Sequence, residues 1–476
     1  LDKDRFEAYD QGNGLIKVQS AWNMLRKNLK PVEISASVPV KTALSSFLIT
    51  PNVGIGIYER EGVAANSTLV REFTFKRTSG AAGSITYNVK FVGDVSSYSA
   101  PAKVTLPLNQ EVKFKVNVKV GGPGTYSAIM NLEDTKTAGV DFQTMNTVIV
   151  ANQFTAANNF SSTTTGTVGR NQTLHFFYNI PAGTPAFKVS LTGTTGQVRF
   201  MRFDPYGLPA EAEQTSSSCY VPAQPGNTCN GTTRTVSNPL PGVWELAVDA
   251  RRTSDTAVSN FTLSASILGA NVSVSPNPVS ATVGSVTPIN VTATNLYGAF
   301  TGRIVGTGAL GSAKRSVETI ANLQQKQYQI NVAAGSTSLR VTIGGPSDPA
   351  ADLDLFLYRC APGCVLVGQS ADGDSEESVT LNNPVAATYI ALVDGYSVPA
   401  GTTTFNYVDV FVNPAFGSVA VTDANALHAS GSSWTAPGTV TVNAAPAAGR
   451  VLLGGVQVRT DENVLVGASD VVVNVN

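Results

Sequence analysis

The feature that most constrains this fold is an internal repeat. NIPAGTPAFKVSLTG around Ile180 returns as NVAAGSTSLRVTIGG around Val332, with Ala182, Gly183 and Val189 matching Ala334, Gly335 and Val341 at a constant offset. Each copy continues with an apolar strand (Val198 to Phe203; Leu353 to Tyr358) and a pair of cysteines. Each then reaches a strand ending in Val-Asp: Val248-Asp249 in the first, Val393-Asp394 in the second. A repeat of this size means that one β module is used twice, each copy with its own core.

The local period supports the same class. Val112, Phe114, Val116, Val118 and Val120 alternate with Lys113, Lys115, Asn117 and Lys119, the pattern of a strand buried on one face. Phe73, Phe75, Ile85, Tyr87, Val89, Tyr126, Ile129, Phe142 and Val148 extend it into one sandwich. Only the start departs from it. There Val18, Ala21, Trp22 and Leu25 fall at helical spacing before Lys27, Asn28 and Lys30, which predicts a short helix left from a preceding domain. The expected class is all-β: tandem β-sandwich or jelly-roll and immunoglobulin or fibronectin III-like domains behind one short N-terminal helix.

Charged residues make up 14% of the chain and the net charge is -1. No field draws in a polyanion, so nucleic acid is not an expected partner. No apolar run is long enough for a transmembrane helix. The four cysteines form two close pairs, Cys219 with Cys229 and Cys360 with Cys364, each bracketing turn residues. Two local disulfides and an oxidising compartment are expected, against zinc ligation or free buried thiols. The opening Leu1 suggests a processed product or a fragment.

The densest acidic region is Asp352, Asp354, Asp372, Asp374, Glu376, Glu377 and Asp394. Hard carboxylate oxygens from adjacent loops suit calcium, the one cofactor expected here. A solvated acidic edge and hydrogen-bonded strand caps are the other readings. Asp204 and Asp249 persist in the first copy without the surrounding acids, so a metal should favour the second. Trp244, Tyr389, Trp434 and Tyr396 could form a carbohydrate platform, although Trp244 and Tyr389 sit at repeat-equivalent strand positions that favour packing. His175 and His428 read as structural.

Three stretches resemble a known assembly. Gln11-Gly12-Asn13-Gly14-Leu15-Ile16-Lys17-Val18-Gln19-Ser20-Ala21-Trp22 is similar to the motif that closes the catalytic domain of subtilisin-like serine proteases, especially the tripeptidyl peptidase II branch. Gly56-Ile57-Tyr58-Glu59-Arg60 and Arg71-Glu72-Phe73-Thr74 look like the β domain that follows it. Asp352 to Tyr358, Ser375 to Val379 and Tyr389 to Asp394 resemble the bacterial pre-peptidase C-terminal domain; the first copy is a divergent version, also reminiscent of the P domain of proprotein convertases.

The resemblance implies a division of the chain. Residues 1–30 would be the tail of a subtilase catalytic domain, and 31–153 a fibronectin III-like sandwich. Residues 154–268 would be the first jelly roll, 269–317 a small Ig-like segment, 318–414 the second jelly roll and 415–476 a small Ig-like domain. None of the sequence contexts that carry the family's catalytic Asp, His and Ser is present, so no catalytic residue is assigned. The expected function is therefore accessory: to stabilise, position or anchor the catalytic domain of the same precursor, in a secreted or cell-envelope protein. A structural module of the envelope or surface layer, and a substrate- or glycan-binding module, are the competing classes.

Overall fold

The computed structural model describes residues 7–27, 32–210, 220 and 231–476. The chain divides into two compact units, Leu1–Ile267 and Leu268–Asn476.

In the first unit, residues 34–150 form a sandwich of two five-stranded sheets. Ile34–Pro39, Thr68–Arg77 and Glu111–Lys119 form the centre of one; Ile85–Gly93, Gly124–Glu133 and Phe142–Val150 form the centre of the other. The alternation read from Val112 onward appears as built: Phe114, Val116 and Val118 are buried while the intervening lysines face water. Phe73 and Phe75 meet them from the neighbouring strand, and Tyr87, Met130, Leu132 and Val148 close the core from the opposite sheet. Arg77 is fully buried, its guanidinium donating to the carbonyls of Leu106, Ser79, Ala81 and Gly83. Backbone oxygens thus solvate a charge that water cannot reach.

The two repeat copies share one topology. In the first copy, Thr173–Ile180, Gly242–Ala250 and Val198–Phe203 lie in that order, facing a sheet ordered Ser161–Gly169, Val258–Leu268, Ala186–Thr192, Thr233–Ser237. In the second copy, Gln325–Val332, Ala387–Ser397 and Asp352–Cys360 repeat the first order. Gly311–Ala321, Thr402–Val412, Ser338–Gly344 and Ser378–Asn382 repeat the second. The second copy adds the edge strand Cys364–Ser370, joined to its neighbour by the Cys360–Cys364 disulfide. Cys219 and Cys229 lie outside the described residues.

The small β segments differ from expectation. Read as two separate modules, 269–317 and 415–476 instead pair with each other. Val286–Asn295 runs along Ser433–Val442, Val279–Ala281 along Leu465–Val475, and Phe300–Gly306 along Val451–Thr460. The physical reason is size. A few short strands cannot bury a face alone, and interleaving the two segments gives them a common core. The second repeat copy is therefore an insertion within one sandwich. Gly311–Ala321 carries the connection, pairing first with Val451–Leu453 and along its whole length with Thr402–Val412.

Candidate functional site

The second repeat copy gathers most of the acidic residues singled out above. Asp352 and Asp354 lie on one strand with their side chains on the same face, and Asp354 stands directly across from Asp394. The turn from Asp372 to Glu377 brings carboxylates from a second direction. Oxygens of Asp372, Asp374 and Glu377 all lie within 4.8 Å of one another. Asx contacts shape this turn: Asp372 Oδ1 accepts from the Asp374 N–H at 3.2 Å, and Asp374 Oδ1 from the Glu376 N–H at 2.8 Å. Glu377 is buried and accepts from the Asp372 N–H at 3.1 Å and from the Ser370 hydroxyl. Asp394 accepts from Gln325 Nε2 at 3.1 Å. Glu376 points elsewhere, accepting from the Gly345 N–H at 2.6 Å and lying against Gly344.

The electrostatics of this arrangement are unfavourable in the bare protein. Burial, then Asp372 and Asp374, push the Asp352 carboxyl above its ordinary range. Asp354 is pushed up by burial, then by Asp352, Asp394, Glu377 and Asp372. One oxygen of Asp352 is also buried without a hydrogen-bond partner. Carboxylates converging around an unsatisfied buried oxygen fit a hard divalent cation, whose ligands are charged oxygens.

The first copy shows how the same rung is satisfied otherwise. Asp249 occupies the place of Asp394, and the residue across from it is Arg199 rather than an aspartate. Arg199 Nε donates to Asp249 Oδ1 at 2.7 Å, and the Tyr220 hydroxyl donates to Oδ2 at 2.6 Å. A guanidinium therefore stands where the second copy has Asp354. Sequence reading noted that Asp249 persists but missed its arginine; aligning Val198–Phe203 with the Asp352 strand by register would have exposed the exchange.

The N-terminal segment splits into an anchored half and an open half. Helix α1 (Ala8–Gln11) buries Ala8, and Asn13 Nδ2 donates to Gln143 Oε1 at 3.0 Å. Helix α2 (Val18–Leu25) buries nothing among the described residues. Leu15, Ile16, Val18, Trp22 and Leu25 are all exposed, Trp22 by 58%. The stripe read from helical spacing is present and uncovered. The aromatics weighed as a carbohydrate platform do not form one surface: Trp244 and Tyr389 are buried, and Tyr396 is exposed. Trp434 stacks on the buried His428 ring with centroids 3.5 Å apart.

Residues 35–150 match the Ig-like domain in actinomycete serine proteases, and residues 326–395 match the bacterial pre-peptidase C-terminal domain. Over 429 residues the chain is 25% identical to pyrolysin of Pyrococcus furiosus, covering 85% of this chain and 28% of pyrolysin. Two segments of the chain thus match domain families named for proteases. The chain spans little more than a quarter of the length of pyrolysin. Among solved structures, tripeptidyl peptidase 2 is similar over 100% of this chain and 43% of its own, with TM-score 0.43 and 13% identity. The secreted serine protease VesC of Vibrio cholerae is similar over 42% of this chain and 47% of its own, with TM-score 0.24 and 11% identity.

No described helix is long and apolar enough to cross a membrane. His175, read as structural from its alternating surroundings, lies on the Thr173–Ile180 strand. It faces Asp10 from α1 and Glu245 from the neighbouring strand. Nothing in the local sequence marks that meeting, because the three residues come from distant parts of the chain.

Proposed function

We propose that this chain is the non-catalytic C-terminal accessory region of a secreted subtilisin-like serine endopeptidase, and that α2 is its joint to the catalytic domain. The observation that carries this reading is the uncovered stripe of Val18, Trp22 and Leu25. It directly follows the Gln11–Leu15 motif that resembles the close of a subtilase domain. Covering a Trp and a Leu stabilises by roughly 2–3 kcal/mol each, ample reason for such a helix to find a partner. The test places a photo-crosslinking benzoylphenylalanine at Trp22 in the longest native polypeptide that contains this chain. Cross-links to peptides bearing a subtilase triad are expected. Cross-links confined to residues 32–476 overturn the reading and favour an envelope or ligand-binding module.

A second reading rests on the Arg199-to-Asp354 exchange: calcium holds the acidic rung of the second copy together. Asp352, Asp354, Asp372, Asp374 and Glu377 would supply the oxygens, with Asp394 at the rim; Glu376, committed to Gly345, would not. The ion would supply the positive charge that Arg199 supplies in the first copy. Titrating the full chain with calcium should give saturable binding that Asp354→Asn weakens at least about tenfold, one lost carboxylate ligand being worth about 1.4 kcal/mol or more. Binding unchanged in that variant excludes this ligand set.

A further inference from the structure

The first unit holds a second charged constellation that the accessory reading does not use. His175 lies on the Thr173–Ile180 strand with both ring nitrogens facing carboxylates. Nδ1 is 2.6 Å from Glu245 Oε1, and Nε2 is 3.4 Å from Asp10 Oδ1. Glu245 belongs to the adjacent strand Gly242–Ala250, whereas Asp10 belongs to α1 in the N-terminal segment. The Tyr9 ring stands edge-on to the imidazole, centroids 5.5 Å apart. Arg60, from the Ig-like sandwich, steadies the other side of Glu245. Its Nη1 donates to the Val243 carbonyl at 2.9 Å and its Nη2 is 3.7 Å from Glu245 Oε2.

A neutral imidazole carries one N–H and can donate to only one of two carboxylates. Only imidazolium satisfies both partners. On losing its proton, the ring must turn a lone pair toward one of them, and the longer contact to Asp10 is the weaker. We propose that His175 is a latch that fastens α1 to the β-body, closed while the imidazole is protonated and released when it is not. The binding partner it selects is thus a segment of this same chain, the one leading into α2. The latch stands on its own geometry; only its consequence, freeing the joint to a catalytic domain, rests on the reading above.

The surrounding charges fix the direction. Burial lowers the His175 pKa, but hydrogen bonds and charges from Asp10 and Glu245 outweigh it, raising the value to about 9. Arg60 faces the Glu245 carboxylate from the Ig-like side, and Glu7 lies within electrostatic reach of both Asp10 and Asp94. Tyr9, pushed upward by burial and then by Asp10, stays neutral throughout. The folded value is above the ordinary 6.5, so the latch contributes fully below that pH and is lost as pH rises through about 9. A cleft of about 440 Å³ lined by Tyr9, Tyr58, Arg60, Phe177 and Glu245 lies alongside.

The chain has two histidines, so its imidazole NMR spectrum holds two signals, and His175→Gln assigns them. In the full chain the His175 signal should titrate near 9, and Asp10→Asn should lower that midpoint. Amide protection at Gly12 and Gly14, corrected for intrinsic exchange, should fall at least about tenfold between neutral pH and pH about 10.5 in the wild type. In Asp10→Asn, which keeps an oxygen to accept from the Glu7 N–H, it should already be low at neutral pH and stay flat. A His175 midpoint at or below 6.5, or wild-type protection unchanged across that range, overturns the latch. Neither outcome bears on where α2 docks, which the Trp22 cross-link decides separately.

Discussion

Trp244 and Tyr389 hold the same position in the two repeat copies and make the same bond. Trp244 Nε1 donates to the Leu240 carbonyl at 2.8 Å, and the Tyr389 hydroxyl donates to the Val385 carbonyl at 3.0 Å, each reaching back to the turn that starts its strand. Both rings are buried. A large aromatic with a polar tip fills the core and fixes the turn with one side chain, which indole and phenol achieve equally well. These residues are packing elements and not a sugar-binding face.

Tyr389→Phe keeps the ring and removes the bond, so it should destabilise the second unit by about 1 kcal/mol. Trp244→Ala removes the ring as well and should cost the first unit about 3–5 kcal/mol. Urea unfolding followed separately for the two units measures both. Equal losses in the two variants would mean that the hydrogen bond, and not the ring, dominates.

The exchange of Arg199 for Asp354 gives a sharper test of the acidic rung. Asp354→Arg should place a guanidinium across from Asp394, as Arg199 stands across from Asp249. In EDTA this variant should unfold at a higher temperature than the wild type by several degrees, about 1 kcal/mol or more. Its midpoint should also no longer respond to calcium. A variant less stable than the wild type in EDTA would show that the rung does not need a positive charge.

What the sequence revealed and what it hid follow from range. Alternation along Val112–Val120 is local, so its strand and its buried face could be read directly. The repeat could be read because Ala182-Gly183 and Ala334-Gly335 are the same short turn followed by the same strand. The pairing of Val286–Asn295 with Ser433–Val442 could not, because strand partners carry no mark in either segment. Asp352 and Asp354 could be assigned to one face by their spacing. That Glu376 turns toward Gly345 depends on a backbone turn that composition alone does not fix.

The raised carboxyls of Asp352 and Asp354 set a pH dependence with a definite sign. In the folded chain these groups hold their protons to higher pH than in the unfolded chain, so the folded state binds more protons just above the ordinary carboxylate range. Stability therefore falls as pH rises through that window. Without a divalent cation, the second unit should be more stable at mildly acidic than at neutral pH. Calcium should flatten or reverse the slope, because a bound cation favours the ionised form. Thermal midpoints measured across this range, in EDTA and in calcium, check it; a midpoint that rises with pH in EDTA contradicts the proposed repulsion.

The last prediction concerns α2. Trp22 and Leu25 make their largest contribution only when something covers them, because both are exposed in the chain alone. Replacing Trp22 with Ser should change the unfolding free energy of the isolated chain by less than about 0.5 kcal/mol, as for most surface sites. In a polypeptide that includes the catalytic domain, the same change should cost about 2–3 kcal/mol of stability or docking affinity, the value of a buried apolar side chain. Leu25→Ser should behave alike, and because both residues meet one surface, the double variant should cost less than the two singles together. Lys27, beyond the stripe, serves as the control, and Lys27→Ser should be neutral in both settings. Urea unfolding of the two polypeptides, with and without each substitution, makes the comparison. A loss at Trp22 in the isolated chain as large as in the longer one would mean that residues after Pro31 already cover the stripe, and α2 would then be part of the β-body.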